Sequence, residues 1–110
     1  MNIYISGAIT NDHGFREKFK AAEIDIRDAG HTPFNPAAFN ADRSEALSYN
    51  QCMENCYRLM DFCDAMYQCS DWENSKGALI EYGFAIARGM KIYNADTLPS
   101  VYGVSGGEEQ

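Results

Sequence analysis

The sequence predicts an α/β domain in which a parallel sheet is flanked by helices. Three observations predict it. Short runs rich in β-branched and aromatic residues alternate with helix-length stretches whose apolar residues recur every three or four positions. Gly7, Gly30, Pro36 and Gly89 mark the changes between them. No repeat or linker divides the 110 residues, a length that suits one domain with a real core. Strands separated by such crossovers pair in parallel, and the crossovers run right-handed.

NIYIS (2–6) is the first strand, ended by Gly7. Phe15, Phe19, Ala22 and Ile26 form one face of a helix over 15–29, and Gly30 supplies its stop. HTPFNP (31–36) reads as a second strand closed by Pro36. Residues 37–44 are polar and irregular, and a helix then runs from about Glu45 to Phe62 with Cys52, Met53, Cys56, Leu59, Met60 and Cys63 as its stripe. DAMYQC (64–69) is the third strand, SDWENS a loop, Lys76–Arg88 the third helix and KIY (91–93) the fourth strand. A further strand near Val101 would make five. The domain is expected over 1–95, with 96–110 a C-terminal extension whose GVSGGEEQ tail frays.

Composition narrows the function. Hydrophobic residues are 45% and charged residues 23% of the chain, which is globular. A net charge of −7 with scattered basic residues argues against a nucleic-acid polymer as partner. No apolar run approaches a membrane span, and MNIYISGA lacks the pattern of a secretory signal, so the protein is expected in the cytoplasm and away from membranes. The cysteines are then read as core thiols. A zinc site usually shows a tight C-x-x-C pair, which is absent, and neither a metal nor a cofactor is expected.

Ligands of parallel α/β sheets bind at the carboxyl ends of the strands. That rule brings together the turn Gly7–Gly14, the loop Ser70–Ser75 and the start of the third helix. Glu81 sits about one and a half turns into that helix, among Ala78, Leu79, Ile80, Phe84, Ala85 and Ile86. A carboxylate there either lines the cleft or is buried and bonded to backbone or a tyrosine. SGAITNDHG is neither a dinucleotide fingerprint nor a P-loop. It is either a plain turn or an anion cradle built from amides of Gly7 to Thr10. Ser75 caps the helix and presents its hydroxyl at the same point. Tyr4 is a strand aromatic. Trp72 is a lid over the core edge or a stacking surface for a base. Asp71 lies at the cleft end of strand three, whereas Asp64 lies at the opposite end and is structural. His13 and His31 stand isolated.

Taken together, IYISGAIT, GHTPFNP and CDAMYQCSDWENSKGALIEYGFAIARG, in that order, resemble the nucleoside 2-deoxyribosyltransferase-like proteins, in a small phage and bacterial branch. The resemblance covers roughly residues 2–93. It implies a flavodoxin-like (Rossmann-like) three-layer sandwich with four or five parallel strands. It also implies cleavage of the N-glycosidic bond of a 2′-deoxynucleoside or its 5′-monophosphate. Glu81 would attack the anomeric carbon, Tyr4 would orient it, and Ser75 would bind the 5′ end of the sugar. Ser6, Gly7, Ile9, Thr10, Asp71, Trp72 and Gly77 complete the expected substrate-binding set, and a homodimer or larger homo-oligomer is implied. The chain departs from the family at Cys56, with Glu54 and Asn55 beside it, where an aspartate usually assists at the base. Two other readings therefore stay open: a catalytically silent nucleotide-binding module, and an interaction protein whose acidic surface suits a basic partner.

Overall fold

The computed structural model describes residues 1–8, 14–36 and 49–101, with the backbone alone for 49–52. Four strands, β1 (Asn2–Ser6), β2 (Thr32–Phe34), β3 (Ala65–Gln68) and β4 (Lys91–Tyr93), form one sheet in the order β2-β1-β3-β4. Every pairing is parallel. The helices are α1 (Phe15–Asp28), α2 (Tyr49–Met60) and α3 (Lys76–Ala87). This is the flavodoxin-like strand order, with the long central strands β1 and β3 side by side.

The alternation of side chains along β1 creates the two faces. Ile3 and Ile5 point to one side, where they pack with Phe19, Ala22 and Ile26 of α1 and with Ala65, Tyr67 and Cys69. Tyr4 points to the other, against Cys56 and Met60 of α2, Ala85 of α3, and Met66 and Met90. One helix therefore covers one face and two cover the other. Gly30 (φ 91°) and Gly89 (φ 72°) adopt the left-handed backbone that ends α1 and α3.

Element boundaries differ from expectation by a few residues, for local reasons. The second strand is three residues long, not six, because only Thr32–Phe34 find partners, Asn2–Tyr4 on β1. SDWENS is not wholly irregular: Trp72–Asn74 form a 3-10 turn that leads into α3. At Val101 there is no strand. The residue lies in a turn, and its amide donates to the Ala29 carbonyl at 2.9 Å. The expected start of the second helix at Glu45, the irregular 37–44 stretch and the GVSGGEEQ tail lie outside the described residues, as do Ile9, Thr10, His13 and the side chain of Cys52.

Two residues read as structural are so. The Asp64 carboxylate accepts from the Asn2 amide at 3.0 Å, which fixes the amino end of the sheet. His31 is buried, with one ring nitrogen 3.1 Å from the Met1 amino group and the other 2.7 Å from the Pro99 carbonyl. Among the described residues no helix is long and apolar enough to cross a membrane.

Gly7 has a packing reason to be glycine. A Cβ there would lie 2.8 Å from Cys69 Cβ and 3.1 Å from its Sγ, where the end of β1 closes on the end of β3. Gly7→Ala should lower the stability by about 1–3 kcal/mol through overpacking. A urea titration would show this as an earlier midpoint at unchanged slope.

Candidate functional site

Glu81 answers to the inner face of α3. Ala78, Glu81 and Ala85 are the buried positions of that helix, so two methyl-sized neighbours let it lie close to the sheet around the carboxylate. Only 7% of Glu81 is exposed. Tyr4 Oη donates to its Oε2 at 2.7 Å, and Ser6 Oγ donates to its Oε1 at 2.7 Å. Tyr4 and Ser6 are two apart on β1 and so share the face that looks at α2 and α3. The Cys56 thiol, buried on α2, makes a third side-chain hydrogen bond to the carboxylate.

Burial pushes the Glu81 carboxyl above the usual carboxylate range, opposed by the bonds from Tyr4, Ser6 and Cys56, which favour the ionised form. Burial, then the Glu81 charge, holds the Tyr4 phenol well above its ordinary value, so Tyr4 is a neutral donor. Cys63 is pushed up to about 12 by burial and by Asp64, which leaves it inert. Among the described residues no three His, Cys, Asp or Glu side chains stand close enough together to hold a metal ion.

The expected substrate-binding set divides. Ser6 does not face a ligand with a free hydroxyl: it holds the second oxygen of Glu81. Ser75 is the N-cap of α3, its Oγ accepting from the Ala78 amide at 3.2 Å, and Gly77 follows in the first turn. Asp71 is bound to other work. Its carboxylate meets Lys18 Nζ of α1 at 2.5 Å and the Ala8 amide at 3.4 Å, and Lys18 also donates to the Ala8 carbonyl at 2.8 Å. Asp71 thus ties the exit of β1 to α1 and to the loop after β3. Trp72 packs on Tyr82, ring centroids 4.8 Å apart, and lines a cleft of about 360 Å³ with Lys18, Asp25, Tyr67 and Asp96. Lys18 and Asp25 belong to α1 and Tyr67 to the core beneath it, whereas Tyr82 follows Glu81 on α3 and Gln68, at the end of β3, also lines the cleft. The 3-10 turn, which no periodicity announces, sends Asp71 to Lys18 and Trp72 to Tyr82.

Gln68 is not assigned to the site from sequence, and Cys56, a core thiol by its spacing, enters it only through the resemblance, at the place of the expected aspartate; it is buried and also bonds to Glu81. Gln68 ends β3 opposite Ser6 in the register, 9% exposed, and its Nε2 has no hydrogen-bond partner. An unmade buried donor costs about 1–3 kcal/mol. The signal for it was a lone amide inside an otherwise apolar strand, in line with a serine on the neighbouring one.

Over residues 1–94 the chain matches the family described as a domain of unknown function (DUF4406), and it belongs to that family. No curated protein and no solved structure matches it.

The raised Glu81 pKa has a consequence for stability. A carboxyl that holds its proton more tightly folded than unfolded stabilises the fold below its unfolded pKa. That contribution is lost as pH rises through the folded value. Glu81→Gln removes the titration. The stability of the variant relative to the natural chain should therefore increase from about pH 4 through the raised pKa and then level off. Thermal unfolding of both proteins across that range checks it, and a difference that is flat with pH would contradict a raised pKa.

Proposed function

We propose that this chain cleaves the N-glycosidic bond of a 2′-deoxynucleoside 5′-monophosphate, or of a 2′-deoxynucleoside, through a covalent glutamyl-deoxyribose intermediate on Glu81. The observation that carries the proposal is the buried carboxylate held at both oxygens by Tyr4 and Ser6. The two hydroxyls offset the cost of burying the glutamate and fix the direction in which its carboxylate points. In the reaction a Glu81 oxygen forms a bond to C1′ as the C1′–N bond breaks, its electron pair leaving with the base, which takes up a proton. Water, or a second base, then attacks C1′ and frees the glutamate, giving hydrolysis or transfer. The transition state is cation-like, and a nearby carboxylate stabilises it. A 2-deoxy sugar lacks an electron-withdrawing hydroxyl, so bond breaking needs less help from an acid. That suits a site with the Cys56 thiol where related enzymes carry an aspartate.

Cys56 is also what favours the second reading, a nucleotide-binding module without turnover. Glu81→Gln distinguishes them, because it preserves shape and removes the attacking charge. If the natural protein turns over a deoxynucleotide, the variant should still bind it and lose at least about a thousandfold in rate. Binding without turnover by the natural protein supports the silent module. Turnover retained by Glu81→Gln would reduce Glu81 to a structural part.

Ser75 at the start of the twelve-residue α3 supports a phosphate at the 5′ end, since a helix N-terminus favours an anion that a carboxylate would repel. A 5′-monophosphate should bind more tightly than its nucleoside, and Ser75→Asp should reverse the order. Titration calorimetry with both ligands measures this, and equal affinities would count against it.

The reading extends to a homo-oligomer in a reducing cytoplasm. Leu79 (47% exposed) and Ile86 (53%) lie on the outer face of α3 with Ile80, around Gly83, whose absent side chain leaves open space. Apolar rows of that kind favour a partner. Sedimentation should give a dimer or larger at micromolar concentration, and Leu79→Glu with Ile86→Glu should give monomer. A natural chain that sediments as a monomer would refute it.

A further inference from the structure

Gln68 is the buried side chain, among the described residues, whose polar atom lacks a partner. Its place in the sheet says which way it looks. Tyr67 and Cys69, its neighbours in sequence, belong to the core beneath α1, whereas Met66 belongs with Tyr4 beneath α2 and α3. Alternation puts Gln68 on the side of Met66, and the register sets it directly across from Ser6. Ser6 in turn holds Glu81 at 2.7 Å. Gln68 is the last residue of β3, at the carboxyl end where ligands of such sheets bind. A carboxamide whose Nε2 has no partner therefore ends the strand next to the residue that anchors the nucleophile, and Gln68 also lines the cleft that Trp72 borders.

We propose that Gln68 binds the sugar of the substrate, its carboxamide engaging the 3′-hydroxyl; this rests on the glycosidic reading above. The assignment follows from what the substrate leaves over. With the phosphate at the start of α3 and C1′ at Glu81, the polar groups remaining on a 2′-deoxyribose are the ring oxygen and the 3′-hydroxyl. The ring oxygen has to share the positive charge of the transition state, so a donor bonded to it would oppose the reaction. A hydroxyl both donates and accepts, as a carboxamide does. C3′ and C1′ flank the same carbon, which suits a reader placed alongside the Glu81 anchor.

Natural protein and Gln68→Leu are titrated with the four common 2′-deoxynucleoside 5′-monophosphates and their 2′,3′-dideoxy counterparts, and their thermal unfolding without ligand is recorded. The natural protein should bind its best deoxynucleotide roughly tenfold or more tighter than the dideoxy analogue, because the analogue leaves the buried amide unpaired. Gln68→Leu should bind the two alike, at the weaker affinity. Its melting temperature should equal or exceed that of the natural chain, since a partnerless amide is removed. Gln68→Met, unbranched like glutamine, should behave as Gln68→Leu does. A loss of melting temperature in both variants would overturn the proposal by revealing a structural partner. Discrimination retained by both, or absent from the natural protein, would overturn it and leave the glycosidic reading standing. A natural protein that binds none of the eight nucleotides would overturn both.

Discussion

A carboxylate enclosed between a helix and a parallel sheet is the constraint around which the structure is arranged. An ionised group in that position is expensive unless hydrogen bonds replace the water it gave up. Tyr4 and Ser6 supply them from β1, and Cys56 supplies another from α2. The bonds from β1 span 77 and 75 residues of sequence, so they join the first strand to the last helix. Their geometry demands that α3 lie close, which Ala78 and Ala85 permit, and that its first turn be fixed, which the Ser75 cap provides. Replacing either alanine with a larger residue would lift the helix and lengthen both bonds.

The chemistry of the cluster follows from the kind of donors used. Among the described residues no cation contributes to the Glu81 shift, which comes from burial set against neutral hydroxyls and a thiol. An arginine would hold the carboxylate ionised more firmly, yet it would also cancel its charge. Neutral donors leave the full negative charge available to a positive centre that develops beside it, while still fixing its direction. The accompanying cost is a raised pKa, which the fold bears because the acidic chain places its charged side chains elsewhere. Asp71, the acid nearest in the sequence on the cleft side, is neutralised by Lys18.

Much of this was legible in the residues. The alternation of strand runs with helical stripes gave the element order, and the order fixed a parallel sheet. An acid on an apolar helix singled out Glu81, and Tyr4 as its partner came through resemblance. Ser6 was readable in principle, since positions 4 and 6 of a strand share a face. What the sequence could not convey was the direction of side chains beyond the strand ends. Asp71 and Trp72 follow β3 at the expected place, but a 3-10 turn sends them to Lys18 and to Tyr82, and no period in the sequence encodes that turn. Gln68 was hidden for another reason. A lone amide in an apolar strand marks the position, but that its Nε2 lacks a partner is a property of the packed structure.

On the proposed reading, Cys56 in place of the aspartate that the resemblance implies is less of a loss than it looks in one dimension. Two carboxylates against one another cannot both be ionised, and the pair shares a proton with one pKa driven strongly upward. Glu81 is already raised by burial, so an acid at position 56 would work against the ionised form that attack requires. A thiol is neutral, donates weakly, and adds no repulsion of its own while protonated. In this site it stabilises the Glu81 carboxylate where a second carboxylate would compete with it. On the proposed reaction the exchange gives up an acid at the base and keeps the nucleophile charged, a trade that a deoxy sugar, whose glycosidic bond breaks more readily, makes tolerable.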